Sequence, residues 1–92
     1  MNLVEVIKSA VRDGRYAVST HARRRLRQRR IELWHVEAGI DECDVLEERP
    51  DDLPNPSIVS RQSLPDGTSI VVVWAWRVDS NEALLVTVFF LD

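Results

Sequence analysis

"IVVVWAWRVDSNEALLVTVFFL", residues 70–91, holds two apolar runs separated by a short polar link, "DSNE". Each run has the length of a strand and falls far short of the ~20 apolar residues that a membrane helix needs. Val recurs in both runs, with Trp in the first and Thr and Phe in the second, and such side chains suit a pleated, half-buried surface. The stretch therefore predicts two long antiparallel strands joined by a tight turn. Both runs are apolar on both faces, so both faces need cover. One face is expected to receive helices. The other is expected to carry Trp74 and Trp76 and to be covered by a second subunit, as a homodimer.

Upstream of residue 70 the same grammar continues. Asp66-Gly67 is a strong turn signal between extended runs. "SIVSRQ" (57–62) reads as a strand, "RPDDLPNP" (49–56) as a loop, and "DVLEE" (44–48) as a short strand. Earlier still, the period changes. Leu3, Val6, Ile7, Ala10 and Val11 form a helical stripe that Asp13-Gly14 ends, with Gly14 as a left-handed cap. "RYAVS" (15–19) is a short extended link. Ser19 or Thr20 can cap a second helix running to about Arg30. Leu33, Val36 and Ile40 mark a third, ending near Glu42-Cys43, although Gly39 inside it costs about 1 kcal/mol relative to Ala. The expected architecture is α+β: two to three N-terminal helices packed on a roughly four-stranded antiparallel sheet, as one domain over residues 1–92.

The net charge of −3 hides an asymmetry. Residues 1–31 hold nine Lys/Arg against Glu5 and Asp13, a balance of +7; residues 32–92 hold three Arg against thirteen Asp/Glu, a balance of −10. Screening confines such fields to roughly 8–10 Å, so overall acidity does not exclude a nucleic-acid partner at the basic end. Arg outnumbers Lys eleven to one, and a planar guanidinium suits phosphate or carboxylate better than an ammonium does. Cys43 is alone, so no internal disulfide forms; a reducing, cytoplasmic location is the expectation. The N-terminus carries Glu5 and Lys8 within its apolar pattern and does not read as a signal peptide, and no membrane partner is expected.

"THARRRLRQRRI" (20–31) concentrates six arginines in twelve residues. On a helix His21, Arg25 and Arg29 stack at i, i+4 and i+8, bordered by Arg24 and Gln28. Like charges at this spacing repel. Two arrangements answer the repulsion: carboxylates from "EERPDD" (47–52), or a bound phosphate. An imidazole beside guanidinium groups also suits proton transfer near neutral pH. Arg23, Arg27 and Arg30 are assigned to solubility and general attraction. His35 lacks a partner at metal-ligand spacing, and Cys43 lacks a CxxC context. No metal site and no cofactor are expected.

"HARRRLRQRRIELWHVEAGI" (21–40), followed by Asp66-Gly67 and "LVTVFFLD" (85–92), resembles the signature of a bacterial family described as a domain of unknown function. The resemblance covers nearly the whole chain from Tyr16 onward. That family in turn is similar to the barnase/RelE-like ribonucleases, many of which are toxins of toxin–antitoxin systems. The resemblance implies helices against a four-stranded antiparallel sheet and metal-independent RNA cleavage. It implies His21 as general acid or base, with Arg25 and Arg29 neutralising the scissile phosphate. Arg24 and Gln28 at its border, with Thr87 and Arg77 where their side chains face the helix, would contact the RNA backbone. RNA and an antitoxin protein are the implied partners. One position departs: where relatives often carry Tyr, this chain has Phe89 and no phenol. The competing expectation is a non-catalytic, homodimeric interaction module.

Overall fold

The computed structural model describes residues 2–91. Its frame is the predicted hairpin. Strand β4 (Ser69–Arg77) pairs antiparallel with β5 (Glu82–Phe90), and Asn81 turns the link with φ 55°. β3 (Ser57–Ser63) pairs antiparallel with the other side of β4, and β2 (Asp44–Arg49) with β3. The Asp66-Gly67 turn forms as expected: Gly67 has φ 88°, and the Asp66 carboxylate accepts from the Thr68 N–H at 2.9 Å.

The sheet has five strands, not four, and it is mixed. β1 (Tyr16–Val18), expected as a mere link, pairs parallel with residues 83–85 of β5, giving the order β1-β5-β4-β3-β2. Three residues are too few to carry a readable alternation, which is why "RYAVS" reads as a connection in the sequence.

Helix α1 (Leu3–Arg12) ends as predicted. Gly14 takes φ 75°, its N–H reaches the Val11 carbonyl, and the Arg15 N–H reaches that of Ala10. This double closure is a Schellman cap. Helix α2 spans Thr20–Arg29. Helix α3 is short, Leu33–Ala38, and gives way at Gly39 to a 3-10 turn, Ile40–Glu42.

The core lies between the helices and one face of the sheet. Alternate residues Ile70, Val72, Trp74 and Trp76 of β4 point into it and meet Leu3, Ile7, Ala10 and Val11 of α1. Here one expectation is corrected. Trp74 and Trp76 do not lie on an open face awaiting a partner; they are 0% and 5% exposed in the chain's own core. The pleat decides this, because every second residue shares a face, and Ile70 and Val72 are already committed to the helices. The Tyr16 ring closes edge-on over Trp74 at 5.6 Å. The homodimer surface expected at these tryptophans is therefore not available there.

The opposite face carries Val71, Val73 and Ala75 of β4, with Phe89, Thr87 and Leu84 as their β5 partners. The loop of residues 50–56 lies against part of it, beside Ala75 and Leu84.

Candidate functional site

The second helix is placed by one hydroxyl. Ser19 is its N-cap, accepting from the Ala22 N–H at 2.9 Å, and the same hydroxyl donates to the Val86 carbonyl at 2.8 Å. The Ser19 N–H also bonds the Leu85 carbonyl at 3.0 Å. β1 thus leaves β5 at residue 85, and α2 takes over as the cover of its remaining edge. The lengths agree: ten residues of helix rise about 15 Å, and β5 from Val86 to Phe90 spans about 13 Å. Ala22 and Leu26 bury the inner face of α2.

This placement brings His21 to Thr87. Nε2 of the imidazole lies 2.9 Å from the Thr87 Oγ1, on the exposed side of the molecule. Nδ1 has no hydrogen-bond partner among the described residues, so it is the nitrogen open to an incoming group. Thr87 sits beside a β-bulge: the β4–β5 register shifts between Val73 and Trp74, which pair with Thr87 and Leu85 and leave Val86 over. Such a bulge re-aims the side chains next to it.

Arg25, half-buried, stands one helical turn beyond His21. Arg29 lies a further turn on, its Cζ 5.2 Å from the centre of the Phe90 ring. A cation over an aromatic face at an exposed site contributes about 0.5–1 kcal/mol and holds the guanidinium in place. Arg24 and Gln28 are exposed on the same helix and form no side-chain hydrogen bond among the described residues. Phe89, 40% exposed, lies on the open face of the sheet opposite Val71.

Arg77 does not join this group. It pairs with Glu82 at 3.0 Å, at the hairpin end of β4. Val73, the partner of Thr87, is four residues away, about 13 Å along the strand. Arg77 therefore stands apart from His21 and Thr87, held by Glu82 at the far end of the strand.

Among the described residues, none of the six arginines of α2 and its cap forms an ion pair. The acidic loop does not close over them. Glu47 is held by Arg49 at 2.6 Å, Asp44 by Arg61 at 3.2 Å, and Asp52 accepts from the Ser57 hydroxyl at 2.7 Å. β2 lies three strand spacings from β5, about 14 Å. Among the described residues the carboxylate answer to the arginine repulsion does not form; strand order decides this, and it cannot be read from the chain.

Elsewhere the chemistry is structural. Cys43 is buried, and burial above all pushes its thiol pKa up, against thiolate formation. The His35 ring meets that of Trp34 at a tilt of 56°, with centroids 3.8 Å apart. Among the described residues no three His, Cys, Asp or Glu side chains gather as a metal site, and no helix is long and apolar enough to cross a membrane.

No curated protein matches the chain, and no solved structure matches it. A family model does match, over residues 18–90, a span that opens within β1 and takes in α2, the 44–52 acidic segment and the β4–β5 hairpin with His21 and Thr87. By that match the chain belongs to the family described as a domain of unknown function, DUF4258.

Proposed function

We propose that the protein acts on RNA as a toxin-like, metal-independent ribonuclease of the barnase/RelE type. One observation carries the proposal: an exposed imidazole is anchored through Nε2 to Thr87, on a helix whose arginines have no carboxylate partners among the described residues. Such a set can hold a phosphodiester and move a proton beside it.

The chemistry follows from the atoms present. His21 takes the proton from a ribose 2′-hydroxyl at its open Nδ1. The 2′-oxygen attacks phosphorus, the O2′–P bond forms and the P–O5′ bond breaks. Water or the returning imidazolium protonates the leaving 5′-oxygen, and the products are a 2′,3′-cyclic phosphate and a 5′-hydroxyl. Arg25 and Arg29 offset the charge that grows on the phosphoryl oxygens. DNA lacks the 2′-hydroxyl and is not cut. Arg24 and Gln28 extend the contact along the backbone.

Phe89 favours a second reading in which the same face binds RNA without cleaving it. It supplies a stacking surface where a phenol would supply an acid.

The test is cleavage of an end-labelled mixed-sequence RNA in chelator-containing buffer. His21→Ala is expected to reduce the rate about 10²–10⁴-fold, and Arg25→Ala to weaken binding with a shallower salt dependence. Salt-sensitive binding without cleavage would select the binding-only reading. Absence of both at low salt would overturn the two together.

A further inference from the structure

The arginines on the other side of α2 line a separate groove. It measures about 600 Å³ and lies between α2, the end of β1 and the start of α3. Its apolar lining comes from Leu26 and Ile31, with Val18 and Leu33 beside them. Its basic lining is Arg23, Arg27 and Arg30, at i, i+4 and i+7. At 100° per residue, Arg23 and Arg27 are turned well away from His21, so this is not the imidazole face. Glu32 is the one carboxylate on the wall, and it forms no ion pair with the three among the described residues.

Arg30 closes the helix in the left-handed region, φ 55° and ψ 42°. That conformation strains a residue with a Cβ, and glycine commonly fills it at helix ends. The turn sends the Ile31 N–H back to the Leu26 carbonyl at 2.9 Å, which seats Ile31 beside Leu26 in the groove. An arginine thus occupies a position where glycine would relax the backbone, and its side chain lines the groove.

We infer that this groove docks an acidic, aliphatic peptide segment of a partner protein. Three unpaired guanidinium groups call for carboxylates, which they can engage with two parallel hydrogen bonds each. The aliphatic lining calls for Leu, Ile or Val between them. Single-stranded RNA fits less well, because no aromatic ring lines the groove to stack a base. The inference does not depend on the ribonuclease reading, since it uses none of that site's residues.

The test is a selection from a displayed library of random twelve-residue peptides on the intact protein at low salt, followed by anisotropy titration of a selected peptide. Selected sequences are expected to be rich in Asp and Glu with interspersed aliphatic residues. Binding should weaken at least tenfold in Arg23→Glu/Arg27→Glu and stay unchanged in His21→Ala. Arg30→Gly separates binding from folding: it relaxes the backbone, so thermal stability should hold or rise while affinity falls. Neutral or basic selected peptides, no selected binder, or affinity unaffected by the arginine changes would overturn the inference. So would displacement of the peptide by single-stranded RNA, which assigns the groove to RNA, or self-association that Arg27→Glu abolishes, which assigns it to a second copy.

Discussion

Gly39→Ala has opposite expected signs when the chain is considered locally and when the fold is considered whole. Gly39 has φ −83° and ψ 0°, which alanine adopts without strain. On local grounds alanine should stabilise by about 0.4–1 kcal/mol, because it restricts the unfolded chain. In the fold, a Cβ at this position collides with Nε2 of Gln62 and lies 3.1 Å from its Cδ. That buried amide donates to the Val36 carbonyl at 3.2 Å and the His35 carbonyl at 3.4 Å, closing the end of α3. Displacing it breaks both bonds, worth about 1–2 kcal/mol together at the weak end of the range. Gln62 Oε1 has no partner among the described residues, so moving the amide outward recovers part of that loss. Set against the local gain, the net is a destabilisation of about 0.5 kcal/mol, a fall in Tm of roughly 2–4 °C for a chain of this size. Equilibrium urea unfolding of Gly39→Ala, Gln62→Ala and the double variant measures it. With Gln62 already truncated, Gly39→Ala should turn stabilising. A gain in stability from Gly39→Ala alone, or strict additivity of the two changes, would refute the clamp.

Three further outcomes follow from the same geometry. Ser19→Ala removes the N-cap of α2 and its bond to the Val86 carbonyl together, so calorimetry should show a loss of about 1.5–2.5 kcal/mol, and a loss below 0.5 would separate Ser19 from the seating of α2. Tyr16, the only tyrosine, has its phenol pushed up to about 12, first by burial and then by its hydrogen bond to Glu37 at 2.6 Å and that carboxylate's charge. A raised folded-state pKa gives stability that is fully present below pH 10 and lost as pH rises from 10 through 12; phenolate absorbance tracked against folding should show this, with a lower midpoint in Glu37→Gln, and phenolate near pH 10 in folded protein would contradict it. Thr87→Val keeps the side chain's shape and β-propensity but removes the imidazole's anchor, so Tm should hold while RNA cleavage or binding falls about tenfold, or about 1.4 kcal/mol; an unchanged value would detach Thr87 from the site.

The chain itself determined a good deal here. The alternating and continuous apolar runs specify β3, β4 and β5, the 3.6-residue stripe specifies α1, and Gly14 and Ser19 mark the ends of helices, because each signal is local and rests on periodicity or a single cap. His21, Arg25 and Arg29 share a helix face for the same reason. What the chain could not express is anything that depends on which elements become neighbours. The fifth strand is three residues long and exists only because β5 has a free edge to pair with. The side of the sheet that takes the tryptophans, the joining of His21 to Thr87 across 66 residues, and the separation of Arg77 from both all follow from strand order and register. So does the division of α2's arginines between two surfaces. Those contacts are long-range, and their energies appear only once the core has closed.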